Sequence, residues 1–138
     1  LRCESNPNAA RASASAILCE LGLAAKCDLP AFSLTLPERK ILEIARALAT
    51  KPKLLLLDEV MAGLRPAECD RLVAFLRELN RREGIAILLI EHVMRAVMAL
   101  AEKVIVLHHG EVIAEGPPEG VVAAPAVREC YLGETVEI

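Results

Sequence analysis

Residues 54–59 have the sequence LLLLDE, a short apolar run that ends in two adjacent acids, Asp58 and Glu59. A second apolar run begins at Ile85 and ends in the same way, at Glu91 and His92. Short apolar runs that alternate with helical segments predict buried parallel strands, and open α/β sheets bind ligands at the carboxyl ends of such strands. The pattern therefore predicts an α/β fold with half of a phosphate-handling site beside these acids.

The composition limits the class of protein. The 138 residues are 54% hydrophobic, enough for one domain with a core, and no apolar run approaches the roughly 18 residues of a membrane span. A net charge of −3 gives no basic surface for nucleic acid. The five cysteines lie too far apart for C-x-x-C motifs, which favours reduced thiols. The chain begins with Leu1 rather than Met, and we therefore expect it to start inside a longer gene product.

Periodicity and capping residues predict alternating helices and strands. Thr35 and Glu38 fit a capping box, and Gly84 is placed to end a helix that begins at Pro66. The predicted helices are Ala9–Leu21, Thr35 to before Pro52, Pro66 to Gly84, Val93–Ala101, Glu119–Ala123 and Val127–Tyr131. The predicted strands are Leu54–Leu57, Ile85–Ile90, Val104–Leu107 and Val112–Glu115, the last two in a hairpin.

Asp58 and Glu59 are the first candidates for chemistry. Successive residues of a strand point to opposite sides, so the pair is not expected to share one proton. Two separate tasks suit them better, one carboxylate as a ligand of Mg²⁺ and one as a base or water-orienting group. The alternative is that acids follow a strand only because the chain returns to solvent.

His92 and the Thr35–Glu38 segment are weaker candidates. His92 could donate a hydrogen bond to a terminal phosphate, or it could be an ordinary surface histidine before a helix. The Thr35–Glu38 segment could bind an anion at a helix N-terminus, or it could only cap the helix. Pro37 lacks an N–H donor and Glu38 adds negative charge there, and both features weaken anion binding.

Four motifs in order resemble one family. The segments LTLPERK at 34–40, EIARAL at 43–48, LLLLDE at 54–59 and EH at 91–92 look like the signature, its helix, the Walker B strand and the switch histidine of ABC transporter ATPases. Segments 58–64, 90–94, 113–117 and 131–134 resemble the branched-chain amino-acid importer subfamily. The resemblance covers residues 9–138.

The resemblance implies roles for named residues. Asp58 would hold Mg²⁺, Glu59 would polarise the attacking water, and His92 would contact the γ-phosphate of ATP. The signature residues would contact ATP held by a second ATPase subunit in a head-to-tail dimer. These are Leu34, Thr35, Leu36, Pro37 and Glu38.

The resemblance also implies a cellular location, partner subunits and a division into domains. The ATPase would work on the cytoplasmic face of the cell membrane, bound to permease subunits that import branched-chain amino acids, urea or small amides. Residues 1–50 would be the remnant of a helical subdomain with the signature, and residues 51–138 the C-terminal half of the ATP-binding core.

Several positions depart from the family pattern. Leu36, Pro37 and Glu38 replace the glycines and glutamine of the signature, Val60 replaces a frequent proline, and Arg65 stands where Asp or Asn is usual. No G-x-x-x-x-G-K-[ST] motif is present, so a phosphate cradle is missing from these residues. We therefore expect that this chain alone does not hydrolyse ATP. The alternative is a non-catalytic partner that pairs with a complete ABC ATPase or binds another protein.

Overall fold

The computed structural model describes residues 6–132. Cys3, one of the five cysteines, and residues 133–134 of the segment 131–134 lie outside the described residues. The helices are α1 (Pro7–Glu20), α2 (Leu36–Leu48), α3 (Pro66–Glu83), α4 (Met94–Leu100) and α5 (Pro118–Ala123). The strands are β1 (Leu54–Asp58), β2 (Ala86–Ile90), β3 (Val104–His108) and β4 (Glu111–Gly116). Short helical turns cover Ala24–Lys26, Ala31–Ser33, Pro125–Val127 and Arg128–Leu132. The α/β class predicted from the sequence is confirmed.

The chain forms two compact units, one ending at Ile90 and the other beginning at Glu91. In the first unit, β1 and β2 pair in parallel, with Leu54 opposite Ala86 and Asp58 opposite Ile90. This pairing confirms the parallel arrangement expected from the two apolar runs. The predicted subdivision near residue 50 concerns correspondence with family subdomains and stays a prediction.

The strands are only partly buried, which corrects the prediction of buried strands. Exposed and buried residues alternate along β1, and the residues of β2 are exposed or half-buried. Leu55 and Leu57 are almost fully buried, because every second side chain of a strand points to the same side. The side chains on the other face are 52–65% exposed. This open face comprises Leu54, Leu56, Leu88 and Ile90.

Local sequence signals fix the ends of the two long helices of the first unit. Thr35 caps α2 with Glu38 in a capping box, and Gly84 ends α3 with φ +65°, a left-handed conformation that glycine adopts without strain. Both were predicted from the sequence. The core of this unit is apolar and includes Leu23, Leu34, Ile44, Ala45, Leu48, Met61, Leu72, Leu76, Leu79 and Ile85.

The second unit contains an antiparallel hairpin of β3 and β4, as predicted, with a bulge between Val106 and Leu107. The Tyr131 hydroxyl donates a hydrogen bond to the Leu107 carbonyl and so fastens the last helical turn to the hairpin. Among residues 6–132, no helix is long and apolar enough to cross a membrane.

Candidate functional site

Asp58 and Glu59 lie at the carboxyl end of β1. Asp58 is exposed and is the last residue paired with β2. The Glu59 N–H donates to the Ile90 carbonyl at 2.9 Å, which extends the contact between the strands by one residue. Glu59 has φ +46°, so it leaves the strand in the left-handed region. The turn, rather than strand alternation, therefore sets the direction of the Glu59 carboxylate.

The turn that follows Glu59 is closed by its own hydrogen bonds and by one apolar anchor. The Ala62 N–H donates to the Glu59 carbonyl at 3.2 Å, and the Leu64 N–H donates to the Met61 carbonyl at 3.1 Å. Met61 is only 1% exposed. Gly63 has φ +79°, where a residue with a side chain would be strained. Burial of Met61 therefore anchors the turn in the core, and Gly63 allows the backbone conformation that the turn requires.

Lys40 connects this turn to α2. Its ammonium group donates to the Glu59 carbonyl at 3.0 Å and to the Ala62 carbonyl at 2.7 Å. Sequence reasoning did not single out Lys40, because nothing in the local sequence distinguishes it from Arg39 beside it. The contact places the helix that follows the signature segment against the turn that carries Glu59.

The signature segment, residues 34–38, forms the entry to α2. Leu34 is buried, whereas Leu36 is exposed. The Glu38 carboxylate accepts a hydrogen bond from the Thr35 N–H at 3.0 Å and contacts the Lys26 ammonium at 2.5 Å. Pro37 has no N–H to offer. The segment is therefore an ordered helix cap with few donors for an anion.

Lys26 offsets the negative charge of Glu38 in this segment. Hydrogen bonding to Lys26, followed by the Thr35 N–H, lowers the pKa of the Glu38 carboxyl below its ordinary value. Glu38 was expected to bring uncompensated negative charge to a candidate anion site. The ion pair with Lys26 compensates that charge, so this objection to anion binding becomes weaker than the sequence suggested.

We expect Glu38→Gln to weaken the dependence of the free energy of unfolding on pH in the acidic range. Because the pKa of Glu38 is lower in the folded chain, the unfolded chain binds more protons, and stability rises with pH in that interval. The stabilising contribution of the Glu38 carboxylate is complete above pH 4.5, which is its ordinary pKa, and it is lost as the pH falls through the lowered pKa of the folded chain.

Urea unfolding followed by circular dichroism at a series of pH values measures this effect. Glu129→Gln, which removes an exposed carboxylate in the second unit, is the matched control. An acid slope unchanged by Glu38→Gln would contradict the contact with Lys26.

Arg65, another position that departs from the family pattern, is engaged locally. Glu68 accepts hydrogen bonds from the Arg65 N–H and from its guanidinium group, both at 2.8 Å. This contact raises the pKa of Arg65 and lowers the pKa of Glu68. Both side chains lie at the start of α3, where Glu68 also suits the positive end of the helix dipole.

His92 follows β2 by two residues, in the segment before α4, and its side chain is exposed. It belongs to the second unit, whereas Asp58, Glu59 and the signature segment belong to the first. The structure thus brings the signature helix and the Glu59 turn together through Lys40. His92 lies in the other compact unit.

Among the candidate residues, the exposed Asp58 has the carboxylate chemistry of a Mg²⁺ ligand. Within residues 6–132, no three His, Cys, Asp or Glu side chains cluster closely enough to form a complete metal cage. Mg²⁺ seldom needs one, because it keeps water ligands and takes one or two carboxylates together with substrate phosphates. Asp58 is exposed at the end of β1 and fits the part of such a carboxylate.

Comparisons with known proteins agree with this architecture. A model of the family described as "Branched-chain amino acid ATP-binding cassette transporter" matches residues 111–137. The chain is 39% identical over 122 residues to the lipopolysaccharide export system ATP-binding protein LptB of Acidithiobacillus ferridurans, covering 88% of this chain and 50% of that protein. It is 38% identical over 115 residues to the high-affinity branched-chain amino acid transport ATP-binding protein BraF of Pseudomonas aeruginosa, covering 83% and 45%.

Solved structures lead to the same class. The chain matches a crystal structure of the ADP conformation of an ATP-binding cassette of an ABC transporter with a TM-score of 0.81 and 32% identity, covering 97% of this chain and 54% of that one. By fold and sequence, the chain matches part of the ATP-binding subunits of ABC transporters. Its similarity extends to the branched-chain amino-acid subfamily. The chain spans about half the length of the curated relatives it matches.

Proposed function

We propose that this chain supplies the C-terminal part of an ATP-hydrolysing subunit that energises a membrane importer. Asp58 binds Mg²⁺, Glu59 polarises the attacking water, and His92 contacts the γ-phosphate. One observation carries the proposal. Asp58 and Glu59 lie together at the carboxyl end of the parallel β1–β2 pair, where α/β folds bind their ligands.

The proposal includes partners and a location. The signature residues 34–38 contact ATP bound to a second subunit, and the helical region docks on permease subunits at the cytoplasmic face of the membrane. We propose branched-chain amino acids or small amides as cargo. The family model and the name of BraF support branched-chain amino acids, whereas the name of LptB concerns lipopolysaccharide export.

We further propose that these 138 residues alone do not hydrolyse ATP, because their sequence contains no phosphate-binding glycine loop. The test compares the lone chain with a completed cassette, in which the part of BraF that precedes the matched segment is fused ahead of Ala9. We expect ATP turnover in the completed cassette and none in the lone chain. Turnover by the lone chain that Glu59→Gln abolishes would show that the inactivity proposal is wrong.

One observation favours a second candidate function, that of a non-catalytic partner. Leu36 and Pro37 occupy the positions of the signature glycines, and Pro37 removes a backbone donor. Such a chain could pair with a complete ABC ATPase without contributing to turnover. Co-purification with full-length BraF, together with an unchanged BraF turnover number, would support this candidate over the first.

A further inference from the structure

The backbone of Glu59 has an unfavourable conformation that the surrounding structure must maintain. With φ +46°, Glu59 lies in the left-handed region, where the Cβ atom of an ordinary residue crowds the following carbonyl. Residues held in this way require contacts that over-determine their conformation. The Glu59 N–H supplies one, its 2.9 Å hydrogen bond to the Ile90 carbonyl.

The Glu59 carbonyl makes two further contacts. It accepts from the Ala62 N–H at 3.2 Å and from the Lys40 ammonium at 3.0 Å. Lys40 also donates to the Ala62 carbonyl at 2.7 Å, so one cation holds both ends of the turn. A lysine ammonium is compact and has three donors, which suits two converging carbonyl oxygens. A change of φ at Glu59 would turn its carbonyl away from Lys40 and break this bridge.

We propose that Lys40 is a positioning residue that holds Glu59 in its left-handed conformation and so fixes the direction of the Glu59 carboxylate. Its importance for catalysis rests on the proposed role of Glu59. Lys40 lies in α2, five residues after Thr35. The bridge therefore also links the signature helix, which is proposed to contact a neighbouring subunit, to the carboxylate that would activate water.

The test uses the full 138-residue chain with Lys40→Met, which keeps a long apolar side chain but removes the donors. We expect the Cα and Cβ chemical shifts of Glu59 to leave the values typical of a left-handed residue. Hydrogen exchange of the Ala62 amide should accelerate by about tenfold or more, as expected when a hydrogen bond from a charged donor is lost. The Ala86 amide, which donates to the Lys53 carbonyl beside the strand pair, should keep its exchange rate.

Three variants make the test specific. Arg39→Met removes the neighbouring exposed cation and should leave the Glu59 shifts unchanged. Lys40→Arg retains donors and charge and should restore them. Glu59→Gly removes the strain at this position, so Lys40→Met should accelerate Ala62 exchange less in that background than in the unmodified chain. If Lys40→Met alone does not fold, the proposal requires that it folds in the Glu59→Gly background.

Unchanged Glu59 shifts in Lys40→Met, or an equal change in Arg39→Met, would overturn the proposal. In the completed cassette, Lys40→Met should lower kcat while leaving KM for ATP near its original value. The chemical-shift readout involves no nucleotide. An inactive completed cassette would therefore count against the proposed function and leave the backbone test of Lys40 intact.

Discussion

In the completed cassette, we expect Glu59→Gln to lower the turnover number for ATP by about two to four orders of magnitude, the usual contribution of general acid–base groups. The side chain keeps its size and can still donate and accept hydrogen bonds. It loses the negative charge that would draw a proton from the attacking water. Because binding of the nucleotide does not require that charge, KM for ATP should change much less than kcat.

The control for this experiment is Glu102→Gln, which neutralises an exposed carboxylate in the second unit. It should leave turnover close to that of the unmodified cassette. Steady-state phosphate release at saturating ATP and Mg²⁺ measures both variants. A Glu59→Gln cassette that retains turnover within about tenfold of the original would argue against Glu59 as the group that activates water. Asp58 or a residue from the added segment would then need to be tested in its place.

The features that the sequence predicted correctly are encoded over short distances. The parallel pairing of β1 and β2 follows from two apolar runs separated by one helix, and the cap at Thr35 follows from a four-residue pattern. Gly84 ends α3 because glycine tolerates a left-handed backbone. Each of these features depends on residues that are close in the chain or on a simple periodicity.

The features that sequence reasoning missed depend on contacts between distant residues. Lys40 contacts carbonyls 19 and 22 residues away, and a lysine on a helix gives no sign of such a partner. The ion pair of Lys26 with Glu38 joins a short helical turn to α2. The backbone of Glu59 follows from the turn as a whole. The sequence therefore indicated candidate residues for the site, but not what orients them.

Burial also differed from the prediction, for a physical reason. The run LLLL at 54–57 carries no alternation of polar and apolar residues, and such strands are normally covered on both faces. In the first unit, one face packs in the core and the other is open. The apolar sequence therefore indicated that both faces of the strand can be buried, although the described residues bury only one of them.

We expect Leu76→Ala to lower the free energy of unfolding by about 2–5 kcal/mol, the range measured when a large aliphatic side chain is removed from a core. Leu76 in α3 has an exposure of 0%, so its removal leaves a cavity that the surrounding apolar side chains can fill only in part. Domains are typically stable by about 5–15 kcal/mol. The substitution therefore removes a large fraction of the stability, and urea unfolding followed by circular dichroism measures it.

The matched control is Leu56→Ala, the same change on the open face of the strand pair. Leu56 is 65% exposed, so truncation should change stability by no more than about 0.5 kcal/mol, as is usual for surface sites. Because both variants lose the same atoms, the difference between them reports mainly the difference in burial, with a smaller part from the helix and strand propensities of Ala and Leu. Equal losses at the two positions would mean that the open face is covered in solution, either by a second copy of the chain or by other residues of the same chain. A dependence of the Leu56→Ala effect on protein concentration would then separate association between chains from coverage within one chain.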